Sequence, residues 1–217
     1  MSVAAAAPVV ISDAEPTVFD LPGFSPQVVA ELTAAFEQGE GSTFQNSEPE
    51  IRLQSRLLIR ALRAAQARTV LEVGTHKAHF CYLVKLALPE ARVETFGVDR
   101  KSQVAVDLLN ERFGRFVTFH GGDSKATLPA FAQPAPVDFA WVDGGHDLAT
   151  CLSDLEQCAR LGVDHVCVDD CAGEPQVAEA LRRFLAHGTY SVAARSSDRR
   201  GITWLRRQGA QQGDHRG

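Results

Sequence analysis

Acidic side chains recur where short apolar segments of this chain end. They are Glu72, Asp99, Asp123, Asp143, Asp169 and Asp170. Asp143, Asp169 and Asp170 follow two segments that we expect to be neighbouring strands, about 4.8 Å apart. Three carboxylates that converge in this way can hold Mg²⁺ or another divalent cation. The alternative is that Asp169 and Asp170 only cap the turn and helix that follow.

His146 follows Asp143 by three residues in the segment Asp-Gly-Gly-His. A histidine can take a proton from a substrate at neutral pH, because its ordinary titration range lies there. His146 is therefore our candidate catalytic base. The alternative is that His146 is a polar residue that begins the next helix.

The segment Glu72–Ala78 reads Glu-Val-Gly-Thr-His-Lys-Ala and predicts a tight turn from a strand into a helix. Gly74 would let a ligand approach the backbone, and the helix that follows would offer free N–H groups. Asp99, after the next strand, can accept hydrogen bonds from ribose hydroxyls. A generic turn with polar caps explains this loop equally well, because one glycine-rich turn is a weak signal.

These residues need a scaffold that gathers strand ends. Strand and helix patterns alternate five times, with strands predicted over 69–73, 93–98, 116–119, 137–142 and 165–168. Such alternation indicates right-handed crossovers and a parallel sheet covered on both faces. Segments 190–195 and 202–206 predict a closing hairpin with one antiparallel strand. We therefore expect a Rossmann-like, doubly wound α/β fold with a mostly parallel seven-stranded sheet, whose ligands lie at the carboxyl ends of the strands.

The 217 residues suffice for one sizeable domain with a short appendage. We assign 1–46 to an N-terminal arm and lid helix, 47–207 to the ligand-binding domain and 208–217 to a disordered tail. Residues 1–22 show no clear period. We interpret them as a mobile arm, and we expect residues 1–46 as a whole to add little to the core.

Composition excludes several classes of partner. The net charge of −5 argues against a nucleic-acid binder, and no apolar run approaches the roughly 20 residues of a membrane span. The five cysteines form no Cys-x-x-Cys pair. Their odd number, with no secretory signal in the apolar start of the chain, predicts reduced thiols and a cytoplasmic protein. We interpret the arginines near the end as a solvated surface: Arg195, Arg199, Arg200, Arg206 and Arg207. A small-molecule partner is expected, and association into a homodimer is left open.

The run Val70-Leu71-Glu72-Val73-Gly74 resembles the first motif of class I S-adenosylmethionine-dependent methyltransferases. Asp99 falls where that family places its ribose-binding acid, and Gly122–Ser124 resembles its adenine-binding segment. Ala78 replaces the usual second glycine, so we expect a slightly altered turn that still binds. The resemblance covers about 47–206 and implies these cofactor-binding residues: Glu72, Gly74, Thr75, His76, Ala78, Asp99, Arg100, Gly122, Asp123, Ser124 and Asp143.

The spacing of the later acids resembles that of metal-dependent O-methyltransferases, both the catechol type and bacterial sugar and macrolide enzymes. The resemblance implies that Asp143, Asp169 and Asp170 hold Mg²⁺ and that His146 takes the hydroxyl proton. The leading prediction is therefore methyl transfer from S-adenosylmethionine to a small-molecule hydroxyl group. The alternatives are an NAD-dependent oxidoreductase, although the chain lacks Gly-x-Gly-x-x-Gly, and a non-catalytic ligand-binding module.

Overall fold

The computed structural model describes residues 11–12, 14–37 and 48–209. Strands and helices alternate along the described chain much as predicted. The strands are β1 Thr69–Val73, β2 Arg92–Gly97, β3 Val117–Gly121, β4 Phe139–Val142, β5 His165–Val168, β6 Tyr190–Arg195 and β7 Thr203–Arg207.

The helices cover both faces of the sheet and leave its carboxyl edge open. They are α1 Pro26–Glu37, α2 Glu48–Ala64, α3 His79–Ala87, α4 Arg100–Phe113, α5 Ser124–Ala130, α6 Leu148–Arg160 and α7 Pro175–Ala186, with a short 3₁₀ helix at Val18–Asp20. Among the described residues, no helix is both long enough and apolar enough to cross a membrane.

The seven strands form one sheet in the order β3-β2-β1-β4-β5-β7-β6. The strands from β1 to β5 pair in parallel, and β7 runs antiparallel to both β5 and β6. The predicted doubly wound sheet with one antiparallel strand is confirmed. Because chain order reverses on either side of β1, a crevice opens between β1 and β4 at their carboxyl ends.

The buried strand β1 shows how the sequence builds two layers. All five of its residues are buried, and successive side chains point to opposite faces of the sheet. Val70 packs into the core under α2 and α3, whereas Leu71 and Val73 pack into the core under α6 and α7. A continuous apolar run is what a central parallel strand requires.

The segment before α1 packs more closely than the sequence predicted. Val18 and Leu21 are buried in the core, and the Val18 N–H donates to Ser55 Oγ at 3.1 Å. Glu15 forms an ion pair with Arg60 of α2. The expectation that these residues add little to the core is wrong for Val18 and Leu21, because a single 3₁₀ turn buries apolar side chains without a helical period.

The predicted limits of the domain fall partly outside the described residues. Residues 1–10, 13, 38–47 and 210–217 lie outside them, and these include most of the predicted tail. The Gln208 N–H still donates to Thr189 O at 2.8 Å, so the hydrogen bonds of the hairpin extend to residue 208. The division of the chain at 46/47 stays a prediction.

Candidate active site

The loop after β1 is shaped by close backbone contacts. Gly74 has φ +104°, and a Cβ there would lie 1.9 Å from the backbone oxygen of Asp143. Gly74 is therefore required by the crossing of two strand-end loops, in addition to any ligand. Ala78 has φ +57° and is fully buried, so it adopts the left-handed conformation that a glycine would take at this position. That conformation costs a non-glycine residue roughly 1–2 kcal/mol.

Glu72 lies at the base of this loop in a buried hydrogen-bond network. It accepts from Thr95 Oγ1 at 2.5 Å and from Cys81 Sγ at 3.0 Å, while Thr75 Oγ1 lies 2.7 Å from Thr95 Oγ1. Burial raises the pKa of Glu72 to about 7, against the lowering effect of its two donors. A carboxyl group is therefore held in a fixed orientation at the wall of the cavity described below.

Asp99 and Asp123 each cap the helix that follows them. Asp99 Oδ1 accepts from Lys101 N at 2.8 Å, and Asp123 Oδ1 accepts from Lys125 N at 2.9 Å. Both residues occupy the N-cap, where an aspartate satisfies a free N–H of the first turn. Helix capping alone therefore accounts for these two strand-end acids. Val98, beside Asp99, is a large exposed apolar residue, and it was not among the predicted site residues.

A cavity of about 920 Å³ connects the β1 loop to the ends of β4 and β5. Its polar wall includes Glu72, Asp143, His146, Asp169 and Arg200. Its apolar wall comes largely from the N-terminal segment and the helices, and it includes Phe19, Phe24, Val29, Leu58, Phe80 and Trp141. Phe19 and Phe24 belong to the segment before α1, which shows no clear period in the sequence.

An acidic cluster occupies the polar end of this cavity. Donor atoms of Asp143, His146 and Asp170 all lie within 4.8 Å of one another, and His146 Nε2 is 3.2 Å from Asp170 Oδ2. Burial, and then the charges of Asp169 and Asp170, raise the pKa of Asp143 well above its usual range. Burial and the charge of Asp170 raise the pKa of Asp169 to about 7.

The donor set of this cluster suits a divalent cation. It combines carboxylate oxygens with an imidazole nitrogen, and Asp169 Oδ1 is buried without a hydrogen-bond partner. The three residues whose donor atoms lie together nevertheless differ from the three predicted metal ligands. His146 joins Asp143 and Asp170, and Asp169 lies beside them. Helix capping does not explain Asp169 and Asp170, because α7 begins only at Pro175. The residue that caps α6, through Thr150 N, is Asp147, which follows His146 directly.

Arg200, in the turn between β6 and β7, reaches into this cluster. Its Nε donates to Asp170 Oδ1 at 2.6 Å and its Nη2 donates to Asp170 Oδ2 at 2.8 Å. Nη2 also lies 3.6 Å from Asp169 Oδ2. The interpretation of the late arginines as a solvated surface is therefore wrong for Arg200. Nothing local in the sequence marks this residue, because its partners precede it by about thirty positions.

The central part of the chain matches a known protein family. Residues 71–171 match the family described as a methyltransferase domain. This segment is therefore similar to a methyltransferase domain. It begins in β1 and ends just after the Asp169–Asp170 pair, so it includes the β1 loop, both capping acids and the acidic cluster. No curated protein matches the chain.

Solved structures share the fold of this segment and of the elements around it. The O-methyltransferase TomG from Streptomyces achromogenes, in complex with SAM, is 21% identical, with a TM-score of 0.66 over 86% of this chain and 92% of its own. An O-methyltransferase from Bacillus cereus, in complex with SAH, is 17% identical, with a TM-score of 0.68 over 88% and 95%. The predicted resemblance to methyltransferases is confirmed.

The predicted site residues fall into two groups in the structure. Those that line the cavity are Glu72, Gly74, Thr75, His76, Asp143, His146 and Asp169. Those that are not among its lining residues are Ala78, Asp99, Arg100, Gly122, Asp123, Ser124 and Asp170. The second group includes the ends of β2 and β3, where the capping acids lie. The individual assignments stay predictions.

Proposed function

We propose that this chain transfers the methyl group of S-adenosylmethionine to a hydroxyl group of a small-molecule acceptor. The observation that carries the proposal is the cavity that joins the β1 loop of a methyltransferase domain to His146 and the acidic cluster. Structural neighbours described as O-methyltransferases with bound SAM or SAH support this reaction class.

The cofactor would lie along the carboxyl ends of β1, β2 and β3. Glu72 and the loop from Gly74 to Ala78 would hold its methionine half, with Asp143 below. Asp99 would bind the ribose through the carboxylate oxygen that its cap does not use, and the exposed Val98 would offer an apolar surface to the adenine. The remaining predicted contacts at this end are Arg100, Gly122, Asp123 and Ser124.

His146 would act as the base of the transfer. An oxygen–carbon bond forms while the carbon–sulfur bond breaks. With S-adenosylmethionine bound, the electron pair of that bond would pass to sulfur, and His146 would take the hydroxyl proton. Asp170, 3.2 Å from His146 Nε2, would hold the imidazole in place. Positioning the acceptor in line with the methyl group supplies much of the remaining acceleration.

Asp143, Asp169 and Asp170 would hold Mg²⁺ or another divalent cation at the same edge. The unpartnered Asp169 Oδ1 supports this assignment, because a cation would satisfy that buried oxygen. When bound, the cation would lower the pKa of the acceptor hydroxyl and so favour its deprotonation.

Calorimetry with S-adenosylhomocysteine tests the cofactor assignment directly. We expect binding to the wild type, with an Asp99→Ala loss of about 1–3 kcal/mol in binding free energy from an unpaired ribose hydroxyl. Binding of NAD in place of S-adenosylhomocysteine would overturn the proposal in favour of an oxidoreductase.

A labelled-methyl assay over a panel of phenols and sugars tests the reaction. With any acceptor that responds, His146→Ala should lower the rate by about 10²–10⁴, the usual contribution of a general base. His187→Ala is the matched control, because His187 is an exposed histidine after α7. Full activity in His146→Ala would rule out the base. Full activity in EDTA-treated enzyme that contains no metal would rule out the ion.

A further inference from the structure

We propose that Arg200 is a built-in cation that competes with a divalent metal ion for Asp170. In this view the metal binds only when the guanidinium group leaves the carboxylate. The inference rests on the metal site proposed above and adds a residue that sets its affinity.

The contact between Arg200 and Asp170 uses both oxygens of the carboxylate. Two parallel N–H···O bonds of 2.6 and 2.8 Å form the bidentate arrangement that makes arginine–carboxylate pairs strong. Asp170 Oδ2 also faces His146 Nε2. A metal ion shared by Asp143 and Asp170 would meet a guanidinium already bound to one of its ligands, and the two cations would repel each other.

The backbone of Arg200 is fixed, so its side chain alone has to move. Asp198 Oδ1 accepts from Arg200 N at 3.1 Å and from Gly201 N at 2.8 Å. Arg200 O in turn accepts from Ala172 N and Gly173 N, at 2.8 and 2.9 Å, in the loop after β5. The turn is therefore attached to the strand end that carries Asp169 and Asp170.

The side chain of Arg200 has a path out of the cluster. It is 26% exposed and lines the open cavity, whereas Asp170 is 5% exposed. A long arginine side chain on a fixed backbone can change rotamer toward the cavity without disturbing the sheet. Displacement is therefore a local event, and the guanidinium offsets the repulsion among the acids until a metal arrives.

The test is calorimetric titration of Mn²⁺ into the ligand-free protein, without cofactor or acceptor. Arg200→Met should bind Mn²⁺ about tenfold or more tightly than the wild type, because wild-type affinity is reduced by the fraction of molecules with Asp170 available. Arg200→Lys should lie between them, since lysine keeps the charge and loses the fork. Arg199→Met is the matched control, because it removes an exposed charge from the same turn.

The outcomes separate this inference from the proposed function. Equal Mn²⁺ affinity in the wild type and Arg200→Met, or an equal gain in Arg199→Met, overturns the competition and leaves the metal site intact. Absence of Mn²⁺ binding in every variant overturns both the metal site and the competition. The proposed cofactor site is tested independently, by S-adenosylhomocysteine binding.

A structure of the wild type with Mn²⁺ keeps the inference testable if Arg200→Met does not fold. We expect the Arg200–Asp170 hydrogen bonds to be broken when the metal is bound. Metal binding with both bonds intact overturns the inference.

Discussion

The acids at the two sides of the carboxyl edge are satisfied in different ways. Asp99 and Asp123 accept hydrogen bonds from N–H groups two residues further along the chain, as ordinary N-caps. Asp169 and Asp170 instead face Arg200, which comes thirty residues later than Asp170. A strand-end acid that caps a helix is explained by its neighbours in sequence. An acid that caps no helix needs another partner, and at the end of β5 that partner is Arg200.

The largest expected effect of a single substitution on stability is at Asp170. Asp170→Asn should lower the free energy of unfolding by about 3 kcal/mol, because it leaves the Arg200 guanidinium without its buried partner. Asparagine tolerates the left-handed backbone at this position, where φ is +58°. Urea denaturation measures the loss. The double variant Asp170→Asn, Arg200→Met should lose less free energy of unfolding than the sum of the losses in the two single variants. Losses that simply add would show that the two residues do not act as a pair.

A pH-dependent effect of similar size is expected from Glu72, a buried acid that caps no helix. Its pKa is raised from 4.5 to about 7, so the folded state binds more protons than the unfolded state between these values. The contribution of Glu72 to the free energy of unfolding should therefore be greatest below pH 4.5. About 3 kcal/mol of this contribution should be lost as the pH rises through 7. Glu72→Gln should remove this part of the pH dependence in urea denaturation.

The control for this pH dependence is Glu179, a partly exposed glutamate of α7. Arg182 and Arg183 hold the pKa of Glu179 at about 2, so Glu179→Gln should leave the slope between pH 5 and 8 unchanged. The pKa of Asp169 is also raised, and a reduced slope therefore remains in Glu72→Gln. An unchanged slope in Glu72→Gln would contradict the prediction.

The smallest effects are expected at the caps. Asp123→Ala should cost about 1 kcal/mol in the free energy of unfolding, the usual value of an N-cap hydrogen bond. Asp99→Ala should cost a similar amount. If either loss in the ligand-free protein matched that of Asp170→Asn, the distinction between local and distant partners would fail. Thermal denaturation without cofactor suffices for the measurement.

Local pattern was enough to predict most of the fold. The predicted limits of β1, β5 and β6 agree with the structure, and the limits of the other four strands differ by one or two residues. Apolar runs of four to six residues that alternate with amphipathic helices leave few other arrangements. The strand-end acids were found for the same reason, since each lies directly after such a run.

Features that depend on distant parts of the chain could not be predicted. No periodicity places Val18 and Leu21 in the core, because a 3₁₀ turn has no repeat to detect. The role of Arg200 depends on β7 pairing with β5, and a hairpin pattern does not say which strand it joins. Gly74 was read correctly as a special backbone position, but its contact with the Asp143 backbone is visible only in three dimensions.

The insertion of β7 between β5 and β6 has a consequence for synthesis on the ribosome. Residues 203–207 are the last strand to emerge, yet they flank β5, which carries the acidic pair at its end. Until they emerge, a nascent chain has β5 as an unpaired edge, which is a template for aggregation. Chains cut short before residue 200 would keep their carboxylates and lack the arginine that faces them. Premature termination before β7 should thus yield an insoluble product and not a soluble enzyme with altered activity.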